Sequence, residues 1–370
     1  MSAPSQGVPD DRVRDQGTAP AGPVRAGHRP TLADVARRAG VSKGAASQAL
    51  NGRSGVSETT RARVLRVARE LGWSPNSAAR ALSVARSDAI GLVLSRPARM
   101  LGLEPFYMAF IAGIESVLAD TSISLLLKVI DAPDTGGEIA LYRQWWTGRR
   151  VDGVIVTDVR LQDERLPVLA TLGMPAAILG SDPGFTGTTN LSTVWTDDET
   201  MVKSALRYLV GLGHRSVARV SGPGYLAHCA CRTSAFVRVS AELGLGVPKV
   251  LEADFSGEDG ARATRQLLLG AEPPTAIMFE NDVMAVAAIG AAREIGVRVP
   301  EELSVLAWDD SPLCSLTHPA VSAMHRDIPG MGRQVARLLL DAIDGADPCV
   351  RLDPPGGLVP RGSTAAPPRR

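Results

Sequence analysis

The sequence predicts an α/β protein in two parts: an N-terminal head of three short helices, then a two-lobed α/β core. Three observations predict it. Residues 31–51, TLADVARRAGVSKGAASQALN, read as two short helices joined by a tight turn, with a third amphipathic segment after them. From Ala89 on, short apolar runs alternate with amphipathic stretches, in two successive sets. Charge is also divided. Residues 29–86 hold eleven Lys and Arg against three Asp and Glu, in a chain whose formal net charge is +1, so the remainder is acidic. A basic head on an acidic body is the footprint of a polyanion-binding module.

Residues 1–28 are rich in Pro, Gly, Ala, Asp and Arg without periodicity and are expected to form a disordered leader. The head is expected over 29–75. Thr31 can cap the first helix, with Asp34 three residues on as an acidic capping-box partner. Leu32, Val35, Ala36 and Ala39 share one face, Gly40 supplies the stop and Val41 plugs the turn. Ser42 caps a second helix that turns Ala46, Ala49 and Leu50 inward and Lys43, Gly44, Ser47 and Gln48 outward. A Gly-containing turn between two such helices is the helix-turn-helix pattern. Ser57 caps the third helix, with Thr60 three residues on and a buried stripe of Val64, Leu65, Val67, Ala68 and Leu71. Residues 76–87 follow as a hinge helix or linker, too short to be stable alone.

In the core, expected over 88–365, IGLVL, ISLLLKVI, VDGVIVT and PAAILG read as buried parallel strands, as do SVARVSG, KVLEADF, TAIMFEND and LSVLAWDD in the second set. Two sets of similar size suggest two lobes with a cleft between them. The segment LVPRGS near the C-terminus matches a protease-cleavable linker but is taken as native, and 366–370 as a loose tail.

The run ADVARRAGVS…LNG…VSETTRARVLRVARELGWSPN-SAARAL, followed by IGLVL, resembles the LacI/GalR family of bacterial transcription regulators. The similarity extends over nearly all of 30–365. It implies a periplasmic-binding-protein-like core with three crossovers between lobes, near 190–195, 318–322 and 345–352. Lobe 1 then covers about 88–192 and 321–347, and lobe 2 about 193–318 and 348–365. It also implies a homodimer that binds double-stranded operator DNA. Thr31, Ser42, Ser47, Asn51, Ser57 and Thr60 match phosphate or groove-edge positions, and Lys43, Gly44 and Gln48 match base-facing ones. Ala45-Ala46-Ser47-Gln48 stands where many members have Thr-Val-Ser-Arg. Ala45 removes a hydroxyl from the reading helix, and Gln48 exchanges a guanine-favouring Arg for an amide that can pair with adenine. Asn76, Ala79 and Leu82 match the hinge helix that wedges the minor groove.

By the same resemblance, Ser95, His228, Arg232, Phe255, Asn281 and Asp309 line the cleft and bind a small effector. A sugar is the expected class: an Arg, an Asn and an Asp beside an aromatic platform suit a polyhydroxylated ligand. A nucleobase acting as corepressor is the alternative. The departures at Gly180, Trp308 and Asp198 leave the particular ligand open.

No catalytic motif of the GxSxG, HExxH or P-loop type stands out, so neither an enzyme nor a cofactor is expected. Cys229, Cys231, Cys314 and Cys349 lack metal-ligand spacing and are read as reduced thiols, with no metal. No apolar run reaches the ~18 residues of a membrane span, and the first residues lack the plan of a secretory signal. A cytoplasmic protein without membrane contact is expected. A solute-binding protein without DNA function would share the core but has no use for the basic head.

Overall fold

The computed structural model describes residues 30–50, 52, 54–73, 86–97, 100, 102–131, 135–180 and 191–368. The leader, Asn51 and the hinge positions Asn76, Ala79 and Leu82 lie outside them. By its internal contacts the chain divides into two units, 1–79 and 80–370.

In the first unit the local signals act as the sequence implies. Helix α1 (Leu32–Ala39) begins in a full capping box. The Thr31 amide donates to Asp34 Oδ2 at 2.9 Å and the Asp34 amide donates to Thr31 Oγ1 at 3.4 Å. It ends at Gly40, whose φ of 65° is the left-handed conformation that a C-terminal glycine supplies without strain. In α2 (Lys43–Leu50) the Ala45 amide donates to Ser42 Oγ at 3.1 Å. Helix α3 (Glu58–Glu70) is capped by Ser57, which accepts from the Thr60 amide at 3.3 Å. The three pack around the buried alanines and valines Val35, Ala36, Ala39, Ala46, Ala49, Val64, Val67 and Ala68, with Leu32, Leu50, Leu71 and Trp73 partly buried against them. Leu65, expected in the buried stripe, is 40% exposed. It sits about 100° around the helix from Val64, which with Val67 and Ala68 occupies the inner face.

The second unit holds two six-stranded sheets. Its elements run β1 (Ala89–Ser95), α4 (Pro105–Leu118), β2 (Ser124–Ile130), α5 (Thr135–Thr147), β3 (Gly153–Val156), α6 (Arg165–Leu172), β4 (Ala176–Gly180) and β5 (Ser192–Trp195). Then follow α7 (Asp198–Gly211), β6 (Val217–Ser221), α8 (Ala227–Glu242), β7 (Lys249–Glu252), α9 (Gly257–Leu268), β8 (Ala276–Phe279), α10 (Asp282–Glu294), β9 (Ser304–Trp308), α11 (Pro312–Leu316) and β10 (Ser322–His325). The chain closes with α12 (Ile328–Ile343), β11 (Val350–Leu352) and β12 (Gly357–Val359). The first sheet has the order β11-β5-β4-β3-β1-β2 and is parallel throughout. The second has the order β12-β10-β9-β8-β6-β7, parallel except for β12. Helices cover both faces of each sheet, so the central strands read as unbroken apolar runs. The expected burial of ISLLLKVI is corrected: β2 is an edge strand, and Leu127 is 42% exposed.

The chain crosses between lobes three times, each a few residues later than expected. Strand β5 still belongs to the first sheet, β10 belongs to the second, and β11 belongs to the first. The strands continue to Trp195 and His325, and the crossings fall at the polar residues beyond. Asp197 there caps α7, accepting from Thr200 N at 2.9 Å, and Asp327 caps α12, accepting from Gly330 N at 2.9 Å. The cap side chain thus marks the end of the crossing. Helix α12 returns to the first lobe and lies against α4, with Gly113 and Gly332 at the contact.

The segment 358–363 is part of the fold. Strand β12 pairs with β10, and the fully buried Ser363 donates to Val305 O at 2.6 Å and accepts from Ser322 N at 2.8 Å. Ala365, just before the expected tail, is held to the fold. The Ala365 amide donates to Ser304 Oγ, and its carbonyl meets the buried His214 ring at 2.9 Å. All four cysteines are free thiols. Among the described residues no helix is long and apolar enough to cross a membrane.

Candidate functional site

Both sheets end on one cleft of about 620 Å³, part of it open to solvent. From the first lobe it is lined by Arg96 after β1, Glu104, Phe106 and Tyr107 at the start of α4, Thr157 and Asp158 after β3, Leu179 and Gly180 at the end of β4, and Thr196 after β5. From the second come His228 and Arg232 on α8, Phe255 beyond β7, Glu280 and Asn281 after β8, Asp309 after β9 and Arg326 after β10. Most stand just past the carboxyl ends of parallel strands, where open α/β sheets hold their ligands.

Three of them sit in strained backbone. Asp158, Phe255 and Asp309 have φ of 49°, 71° and 67°, a region that side chains other than Gly seldom occupy. Such strain costs of order 1–3 kcal/mol each and gathers at functional sites.

Charges in the cleft are paired and laid over rings. Arg96 donates from Nε to Tyr107 Oη at 3.1 Å and from Nη2 to Asp158 Oδ1 at 3.2 Å, and Tyr107 Oη donates to Asp158 Oδ2 at 2.6 Å. Its guanidinium lies 4.1 Å from the centroid of Phe255, which belongs to the other lobe. Arg232, 4% exposed, donates from Nε to Asp198 Oδ1 at 2.9 Å and from Nη1 to Glu280 Oε1 at 2.6 Å, and covers Trp308 at 4.6 Å. Arg219 pairs with the other oxygen of Glu280. Arg326 pairs with Asp309 and reaches over the Phe106 ring at 5.9 Å. The lobes also touch through backbone: Leu161 N donates to Tyr225 O at 2.9 Å, and Ala227 N donates to Val159 O at 2.8 Å.

Burial pushes the Glu280 carboxyl up, but the Arg219 and Arg232 guanidiniums outweigh it and hold the group below the usual carboxylate range. Asp158 is likewise buried, and Arg96 leads the partners that bring it below its ordinary value. His228 is driven down to about 4 by burial and then by Arg232, so its ring is neutral at physiological pH. His228, Cys229 and Glu280 bring ligand atoms within 4.8 Å of one another, but the set is a poor cation site. Glu280 is already bound to two arginines, and burial holds the Cys229 thiol protonated.

Of the ligand residues expected from sequence, His228, Arg232, Phe255, Asn281 and Asp309 meet at this cleft. Asn281 is also a structural cap: its Oδ1 accepts from Met284 N at 2.8 Å, and its Nδ2 donates to Phe255 O at 2.9 Å. Ser95 is not among the lining residues, and Arg96 beside it is. One residue along an extended segment turns a side chain to the opposite face. Gly180 leaves its position open, since an added Cβ would make only ordinary contacts with Ile178 and Val159. Sequence reasoning missed Arg96, Glu104, Phe106, Tyr107 and Asp158. The usable signal was position: Arg96 and Asp158 lie just past a buried apolar run.

On the head, Lys43, Gly44 and Gln48 are exposed along one side of α2, and Ala45 and Ser47 are half-buried. The Gln48 amide lies against Gly55, where an added Cβ would come within 3.4 Å of Oε1. Thr31, Ser42 and Ser57 are exposed helix caps, and Thr60 is half-buried beside Ser57.

Residues 31–76 match the model of the lacI family of bacterial regulatory proteins, and residues 206–364 match that of the periplasmic binding protein-like domain. The chain is 32% identical to the HTH-type transcriptional regulator CelR of Thermobifida fusca over 323 residues, covering 86% of this chain and 93% of that one. It is 29% identical to the HTH-type transcriptional repressor CytR of Escherichia coli K12 over 321 residues, 85% and 90% of the two chains. Among solved structures, a CelR–cellobiose complex matches with a TM-score of 0.69 at 30% identity, covering 90% of this chain and all of that one. A lac repressor dimer bound to operator and the anti-inducer ONPF matches with a TM-score of 0.80 at 26% identity, covering 92% and all of the two chains.

Proposed function

The chain belongs to the lacI family of bacterial regulatory proteins, and from that premise we propose that a sugar bound in the inter-lobe cleft sets its affinity for operator DNA. It is a DNA-binding transcriptional regulator and not an enzyme. The observation that carries the sugar reading is the pattern of the cleft: three guanidiniums, each paired with a carboxylate and each over an aromatic ring. Paired planar groups give the alternating donors and acceptors that vicinal hydroxyls require, and rings give a flat apolar face for the sugar's C–H side. The cellobiose in the CelR complex supports the class.

In this reading the protein acts as a homodimer. Lys43, Gly44 and Gln48 read bases, Thr31, Ser42, Ser47, Asn51, Ser57 and Thr60 meet phosphates and the groove edge, and Ala45 faces the DNA from the reading helix without a hydroxyl. Asn76, Ala79 and Leu82 form the minor-groove hinge. Sugar closes the cleft, the first lobes shift across the dimer and the hinges unpair, so DNA is released. Deleting 30–83 is expected to abolish DNA binding.

The test is operator binding by fluorescence anisotropy, with and without cellobiose, maltose, lactose and sucrose. One sugar is expected to weaken binding by about 5- to 150-fold, the usual span of allosteric coupling. If none binds or moves operator affinity, the sugar reading falls. A Gln48→Arg variant is expected to shift preference at one base pair of each half-site from adenine to guanine, by about 1–3 kcal/mol. A selection from randomised operators reads this, and an unchanged preference removes Gln48 from the base-reading set.

A further inference from the structure

One carboxyl in the cleft stands without an ion pair of its own. Arg96, Arg232 and Arg326 each have a carboxylate, but Glu104 has no ion pair among the described residues. It stands at the N-cap position of α4, yet its side chain makes no capping hydrogen bond to the amides of the first turn. Glu104 is 7% exposed, it lines the cleft, and its Oε2 is buried without a hydrogen-bond partner. Buried polar atoms in folded proteins are almost always satisfied, so an orphan aimed at a ligand cleft marks the place of a ligand donor.

We propose that Glu104 selects the effector: its open oxygen accepts a hydrogen bond from a hydroxyl of a neutral sugar, and its charge turns away sugar phosphates and sugar acids. The inference rests on the sugar reading of the cleft and names the charge class that the site admits. With Glu104 ionised the lining carries four carboxylates against three guanidiniums, so an anion would enter a site of its own sign.

The proposal has a pH signature. Burial pushes the Glu104 carboxyl up to about 7; Arg96 opposes the shift, and Asp158, Asp309 and Asp282 add to it. The positive end of α4 also favours the charged form. Without sugar the group is therefore about half protonated at neutral pH. A hydroxyl donor binds the ionised form and draws the group back toward the ordinary carboxylate range. Sugar affinity then rises with pH, by about tenfold from pH 6 to pH 8. His228, driven to about 4, stays neutral across this window. Asp282, pushed to about 6 chiefly by burial, titrates nearby but does not line the cleft, so its share persists when Glu104 is replaced.

The experiment is titration calorimetry on the full chain at pH 6, 7 and 8, with cellobiose, maltose, lactose and sucrose as neutral probes and glucose 6-phosphate as the anionic one. For the neutral sugar that binds best, wild type is expected to tighten about tenfold from pH 6 to pH 8, with no binding of the phosphate at pH 8, where Glu104 is ionised. The Glu104→Gln variant is expected to lose about tenfold at pH 8, to keep of the pH dependence only the smaller share of Asp282, and to bind the phosphate measurably. Its melting temperature is expected to equal or exceed that of wild type, since an unpaired buried carboxyl has been removed; a merely structural Glu104 would lower it. A sugar that binds both proteins alike with a flat pH profile overturns the role of Glu104 and leaves the sugar reading standing. Failure of every neutral sugar at every pH overturns both. The wild-type pH profile tests the proposal even if the variant does not fold.

Discussion

Replacing Arg232 with methionine is expected to cost the protein about 3–5 kcal/mol, the penalty for removing one partner of a buried charge group. Arg232 holds Asp198 and Glu280 at once, at 4% exposure, and covers Trp308. Without it Asp198, whose Oδ2 already lacks a partner, loses its ion pair, and Glu280 keeps only Arg219. Urea unfolding followed by circular dichroism reads the loss. An Arg232→Lys variant keeps the charge but not the two-pronged geometry, and is expected to recover roughly half. The defect has a pH direction. Glu280 is held below its ordinary value, so the stability it contributes is complete above the unfolded carboxyl's titration and is lost as pH falls through the lowered value. Removing Arg232 moves that loss to higher pH. A methionine variant that unfolds at the wild-type midpoint, with the same acid limb, would show that the Arg232 network does not hold the fold together.

The second large effect is steric. An added Cβ at Gly113 would run into the backbone carbonyl of Pro329, and one at Gly332 into that of Phe110. Neither obstacle can move by changing a rotamer. Gly113→Val is expected to separate α4 from α12 and to cost about 3 kcal/mol or more, with a fall in melting temperature of roughly 5–10 °C. Gly290 is the control. It lies in α10 with nothing within 4 Å of an added Cβ, so Gly290→Ala is expected to be neutral or slightly stabilising. Equal melting of the two variants would refute the close-contact account.

What could be read beforehand follows the range of the forces involved. The head is legible because its signals are local: Thr31 with Asp34, Gly40, and Ser57 with Thr60 each act within four residues. The alternation of strands and helices is legible for the same reason. Edge position is not, since β2 is as apolar as its buried neighbours and only topology exposes it. The second-lobe side of the cleft, from His228 to Asp309, came from resemblance in motifs. The first-lobe side did not, because Glu104, Tyr107 and Asp158 belong to stretches without a motif. They acquire meaning only when strands far apart in sequence end side by side. Ser95 and Arg96 show the resolution of such reading: the right strand end, one residue out.

The three crossings also bear on how the protein is made. The first sheet is completed only by β11, whose residues 350–352 pair with 193–195, and its helical cover only by α12. During synthesis the first lobe therefore waits, with the apolar face of α4 uncovered, until nearly the whole chain has left the ribosome. The second lobe waits still longer for β12 and Ser363. Neither lobe can fold ahead of the other as an N-terminal domain normally would. A nascent chain stalled before residue 350 is expected to stay chaperone-bound, and a stop codon there to leave two unfinished lobes rather than one finished one.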